Sequence, residues 1–252
     1  MKINAKEIRS VESASAVTDG TGRMDLYNSI HKALRAWMGY TLTRVGQMDP
    51  TDSEECRTVV TEVNELMGAM LEHLQTENIW IHPAILKHHP DALVEIQADH
   101  AGHERSIEHL RSLAASVVSS PASHTGAAAE QLYAALAVFV GENLEHLKIE
   151  ETHNNQLLWQ AYSDAELLEI HRAILGDASP VKMAQVLRWM IPAITAPARA
   201  QMLAEMQAGM PAQAFDGFMA LAHARLSTGD WTKLTMALNL PQVAGLVDLS
   251  RH

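Results

Sequence analysis

Cysteine is almost missing from this chain. Cys56 stands alone among 252 residues, which excludes an intrachain disulfide and any thiolate cluster for zinc or iron–sulfur. A metal, if one is held, has to be held by nitrogen and oxygen ligands. Aromatic residues are sparse, at 5%, and β-branched runs are rare, so strands are not expected. Positive charge is also in the minority, with 19 Lys+Arg against 30 Asp+Glu and a formal net charge of −11. No basic cluster interleaved with aromatics offsets that balance, and a phosphate backbone would be repelled, so nucleic acid is not expected as a partner. No stretch approaches the roughly 18 apolar residues that span a bilayer, and the first thirty residues contain no apolar export segment. No membrane association is expected, and the chain reads as cytoplasmic.

What is present points to helices. Hydrophobic residues make up 47% of the chain, and Ala, Leu, Met and Glu dominate, the composition of an all-α protein. Residues 1–22 are small and polar and end in Gly20 and Gly22, a flexible lead-in. From Met24 to about Gly46 apolar residues recur at Leu26, Ile30, Leu34, Trp37, Met38 and Leu42, the spacing of one buried helical face. A second helix is expected from about Ser53 to Ile81, where Pro83 bends or breaks it. A third is expected over roughly Asp91 to Ser119, and a fourth over roughly Thr125 to Tyr162. Four long helices joined by short connections are expected to pack up-down-up-down as a bundle over residues 23–162. Residues 163–252 read as a smaller extension of short helices, opened by Ser163-Asp164, Ser179-Pro180, Ala196-Pro197, Met210-Pro211 and Gly229-Asp230.

Histidine is the compositional oddity, at 14 residues that fall mainly between positions 31 and 171. Imidazole suits iron, zinc, copper and nickel. The sharpest pattern is an internal repeat, Glu72-His73-Leu74-Gln75-Thr76-Glu77 in helix two and Glu145-His146-Leu147-Lys148-Ile149-Glu150 in helix four. Each contains His-x-x-x-Glu, and residues four apart on a helix share a face, so each copy presents an imidazole and a carboxylate to one point. Exposed pairs of this kind are common on helices. Here, however, Leu66, Met70 and Ile81 share the first pair's face and Phe139 shares the second's, so the pairs point inward, where an unpartnered charge is expensive. Two facing copies can hold two metal ions with the carboxylates bridging. Helix one adds His31 and helix three adds His100 and His103. The separations, 42 residues from His31 to His73 and 43 from His103 to His146, favour His103, with His100 one turn away as a further candidate.

One His in helix one, His-x-x-x-Glu in helix two, His in helix three and His-x-x-x-Glu in helix four together resemble the hemerythrin-like (HHE cation-binding) family, over about residues 24 to 162. That resemblance implies a four-helix bundle around a non-haem di-iron centre. The matching ligands would be His31, His73, Glu77, His103, His146 and Glu150, with His100 as a seventh. The run from Glu77 to Pro83 is similar to the family's segment ending in Phe-Pro, with His82 in place of the aromatic. After Glu150-Glu151, where the family often has an aromatic-Pro pair, Thr152-His153-Asn154-Asn155 stands. His82 and His153 are expected around the ligands rather than among them. The extension is similar to tails on some larger bacterial members and on plant iron-regulating relatives.

The resemblance implies binding or sensing of O2, NO or peroxide as the leading function. The second reading is a di-iron oxidoreductase acting on O2, peroxide or a small substrate. The third is an iron-responsive interaction module, whose extension docks a protein partner or a second copy of the chain. Carboxylate-rich di-iron oxygenases carry Glu-x-x-His, the reverse order of the motif here, which places ligand binding first.

Overall fold

One carboxylate starts the first helix. In the computed structural model, which describes residues 22–240, Asp25 Oδ1 accepts from the backbone N–H of Tyr27 at 2.8 Å and of Asn28 at 3.0 Å, and α1 follows over Asn28–Gln47. The lead-in expected over 1–22 lies outside the described residues apart from Gly22. Asp52 opens α2, Ser53–Thr76, by accepting from the N–H groups of Glu54 and Glu55, with its charge at the positive end of the helix dipole. Downstream come a short α3 (His82–Leu86), then α4 (Val94–Ser119), α5 (Ala122–Ile149) and α6 (Asn155–Ala161). Among the described residues the chain is all-helical and contains no strand, and none of its helices is long and apolar enough to cross a membrane.

Each long helix packs on two others: α1 and α4 each contact both α2 and α5. The faces they bury are the apolar stripes of the sequence. Leu34, Trp37 and Met38 come from α1, Val63, Leu66 and Met70 from α2, Ile107 and Leu110 from α4, and Leu132, Leu136 and Phe139 from α5, all buried. Truncating one of these, for example Leu66→Ala, costs about 2–5 kcal/mol through lost contacts and the cavity left behind. Gly46 lets the end of α1 approach α5 closely, since a Cβ there would stand 2.9 Å from the Tyr133 ring.

The expected second and fourth helices are both interrupted, and in the same way. Glu77–Ile81 and Glu150–Asn154 are single π-helical turns, in which the N–H of His82 donates to the Glu77 carbonyl and the N–H of Asn155 to the Glu150 carbonyl. One inserted residue rotates everything downstream by about 100° around the helix axis. Pro83 does not break the second helix. It sits in the first turn of α3, directly after the π-helical turn.

Below these turns lies an apolar plug. Met24, Tyr27, Ile81, Ile85, Leu93, Ile96, Leu158 and Leu167 form one buried cluster. The segment before α1 is tied to it by the Trp159 indole N–H donating to the Met24 carbonyl at 2.7 Å and by Arg23 donating to Asp164 at 2.8 Å. Leu167 belongs to α7 (Asp164–Asp177), which begins with a capping box between Ser163 and Glu166. Next come α8 (Pro180–Ala193), α9 (Ala196–Gly209), α10 (Ala212–Arg225) and α11 (Thr228–Ala237). The described residues divide into two compact units, 22–189 and 190–240. In the second, Leu203, Phe215, Met219, Ala222 and Leu234 are buried. Arg199 lies buried among them, donating to the carbonyls of Ile191 at 2.6 Å and Ile194 at 3.1 Å, so its charged head closes the end of α8.

Candidate metal centre

The two carboxylates of the repeat meet in the middle of the first unit. Glu77 and Glu150 are both buried, at 1% and 0% exposure, and each sends its two oxygens in different directions. Glu77 Oε1 stands 3.3 Å from His73 Nε2 and 3.8 Å from His31 Nε2, while Glu150 Oε2 is 3.6 Å from His31 Nε2. The other oxygens face the other way. Glu77 Oε2 is 3.5 Å from His100 Nε2, and Glu150 Oε1 is 3.5 Å from His100 Nε2 and 3.3 Å from His146 Nε2. Two quartets result: His31, His73, Glu77 and Glu150 on one side, and His100, His146, Glu77 and Glu150 on the other. In each, one donor atom per residue lies within 4.8 Å of all the rest. Each carboxylate belongs to both.

These atoms converge without hydrogen-bonding one another. The Nε2 atoms of His31, His73, His100 and His146 and all four oxygens of Glu77 and Glu150 are buried and find no hydrogen-bond partner among the described residues. Orphaned polar atoms in such number are rare in a folded core. Two ligand atoms each about 2.1 Å from a shared ion stand roughly 3.0 Å apart at a right angle and roughly 3.4 Å apart at the tetrahedral angle. The observed spacing, 3.3 to 3.8 Å, fits ligation of this kind. The buried His/Glu cluster can hold a metal ion.

Electrostatics agree with the donor set. Burial, and then the Glu150 carboxylate, push the Glu77 carboxyl well above its usual range. Glu150, against the effect of burial, is held well below it by His100 and His146. A cation between the two carboxylates would let both ionise. Burial, followed by the neighbouring His31, pushes His73 well below the usual imidazole value and leaves its ring nitrogen free to ligate. His146 moves the other way: burial opposes its charge, but Glu150 and Asp99 raise it.

No family model, curated protein or solved structure matches the chain. The residues of the site therefore speak for themselves.

Of the expected site residues, the geometry draws together His31, His73, Glu77, His100, His146 and Glu150. On helix three it is His100 whose nitrogen joins the quartet. His103 stands beside it, with its ring 4.7 Å from that of His146 and 6.1 Å from that of Phe139. His82 is buried and packs on His100 at a ring separation of 4.7 Å. Burial, with the neighbouring histidines, pushes both His82 and His103 down to about 4. His153 faces solvent, because the π-helical turn that contains it rotates it away from the cluster.

Four supporting residues went unrecognised in the sequence. Glu151 accepts from His31 Nδ1 at 3.2 Å and is clamped by both terminal nitrogens of Arg35. Against its partial burial, these partners hold its carboxyl down at about 2. Asn78 Oδ1 meets His100 Nδ1 at 3.0 Å, and the Asp99 carboxylate faces His146 Nδ1 at 3.7 Å. For His31 and His100 the outer nitrogen is hydrogen-bonded and Nε2 is turned inward, which fixes the ring, whereas His146 Nδ1 has only the longer approach to Asp99. Tyr27 packs on His31 with ring centroids 5.0 Å apart, and its hydroxyl accepts from the Asn154 amide at 3.2 Å. The usable signal was adjacency, since Asn78 and Glu151 each directly follow a repeat glutamate.

Proposed function

We propose that this chain is a non-haem di-iron protein of the hemerythrin-like kind, in which α1, α2, α4 and α5 form an up-down-up-down four-helix bundle around the two ions. One observation carries the reading: both carboxylates present one oxygen to each of two histidine pairs. Four ligand atoms per ion, two imidazole nitrogens and two carboxylate oxygens, would suit ferrous iron and leave coordination positions open. Bound there, iron supplies an open position for a small ligand and a reversible change of charge. The chain's own residues do the rest. Glu77 and Glu150 would hold the ions between them, and Glu151 and Asn78 orient His31 and His100. The plug of Tyr27, Ile81 and Ile96 keeps bulk water from below.

Both carboxylates are shared between the quartets and every unshared ligand would be an imidazole, which favours reversible binding or sensing of O2, NO or peroxide. A di-iron oxidoreductase is the second reading, favoured by the buried neutral His82 and His103 beside one quartet. Turnover separates the two. Ferrous-loaded protein exposed to O2, NO or peroxide is expected to form a lasting optical adduct that reverses on removing the ligand. Repeated consumption of peroxide without an accumulating adduct would decide for the oxidoreductase.

A further inference from the structure

The two quartets are alike in ligands but not in surroundings. Beside His31 stands Tyr27, whose hydroxyl is engaged by Asn154. Beside His100 stands His82, 2% exposed, with both ring nitrogens buried and without a hydrogen-bond partner among the described residues. A neutral imidazole carries one N–H donor and one acceptor, and leaving both unused in a core is costly. His82 is placed there by the local fold. It follows the π-helical turn opened by Glu77 and donates its backbone N–H to the Glu77 carbonyl, so its position is tied to that of the bridging carboxylate. In the other half the equivalent place is taken by Asn155, whose amide donates to the Glu151 carbonyl at 3.0 Å.

We propose that a small anionic ligand binds on the ion held by His100 and His146, and that His82 is the residue that donates a hydrogen bond to it. This rests on the di-iron reading and adds to it which ion takes the ligand and which side chain holds it. The chemical class is a compact anion or peroxide with a lone pair for the metal and a second acceptor atom for the imidazole. Apolar diatomics gain less from such a donor, so His82 biases the site towards charged or protonated ligands.

Azide is a suitable probe, read through its charge-transfer absorption on the oxidised, iron-loaded full chain. His82→Phe fills the volume and removes both nitrogens, while His82→Gln restores a donor. The expected result is an unchanged iron content in both variants, azide affinity lowered about tenfold or more in His82→Phe, and partial recovery in His82→Gln. The exposed His153→Ala variant should match wild type. Unchanged azide affinity in iron-loaded His82→Phe overturns the inference and leaves the metal reading intact. A tenfold loss in Tyr27→Phe with none in either His82 variant moves the ligand to the other ion. Loss of iron from both His82 variants makes His82 a metal ligand and overturns its role as a donor. A wild-type chain that takes up no iron overturns the metal reading and this inference with it.

Discussion

The half of the site built by α1 and α2 and the half built by α4 and α5 supply the same ligands from the same places. His31 and His100 come from the first helix of each half. His73 with Glu77 and His146 with Glu150 come from the second, and each glutamate opens a π-helical turn. Around those ligands the halves part company. Leu34 corresponds to His103, Tyr27 to Ile96, Met70 to Asn143, Asn78 to Glu151 and His82 to Asn155, and all but Asn78 and Glu151 are buried. Ligand positions are held by the need to converge on shared atoms. Wall positions have no such constraint, so they are where the two quartets can come to differ.

That comparison breaks first at the carboxylates. Because Glu77 and Glu150 each serve both quartets, Glu77→Ala and Glu150→Ala should each lose both ions, whereas His73→Ala and His146→Ala should each weaken only one. Elemental analysis of the four variants decides it. Equal losses in all four would mean that the halves are not separable.

Metal removal is the next largest effect. A metal present at about a thousand times its dissociation constant stabilises the folded chain by roughly 4 kcal/mol, which for a domain of this size moves the melting midpoint by on the order of 10 °C. Chelation should lower the midpoint by that amount in calorimetry, and an unchanged midpoint after complete removal would argue against a buried site.

Acid should act on the half that contains His103 and on His82 together. Both are held at about 4 against an ordinary value of 6.5, so the unfolded chain binds more protons than the folded one between those values. Stability should therefore fall as pH drops from about 6.5 towards 4. Denaturant unfolding of chelated protein across that range checks the sign, and His82→Phe should flatten the slope.

The supporting residues give a smaller difference. Glu151→Ala removes the partner of His31 and should weaken metal binding by roughly ten- to a hundredfold. Asn78→Ala should do less, since the amide carries no charge. Competition with a chelator of known affinity measures both, and equal losses would remove the distinction between the charged and uncharged supports.

Helix existence and the inward phase of His73, Glu77, His146 and Glu150 were legible in the sequence, because the apolar residues around them recur every three to four positions. The choice on helix three was not. His100 and His103 lie on nearly one face, and a spacing of 43 residues favoured His103. His100 and His146 are 46 residues apart, against 42 for His31 and His73, because α4 and α5 run about one turn further beyond the site than α1 and α2. The π-helical turns were hidden as well, since no residue type marks where an i→i+5 bond replaces the usual one. That single inserted residue is why His153 faces solvent. Glu151 looked like one more surface acid until Arg35 and His31 closed on it.

The central claim is that one pair of carboxylates is shared by two ions. Titration of the metal-free full chain with ferrous iron under anaerobic conditions, followed by elemental analysis after gel filtration, tests it most directly. The account predicts a break at two irons per chain, and almost no retained iron when Glu77 or Glu150 is replaced by alanine. A break at one iron, or two irons retained without either glutamate, would contradict it.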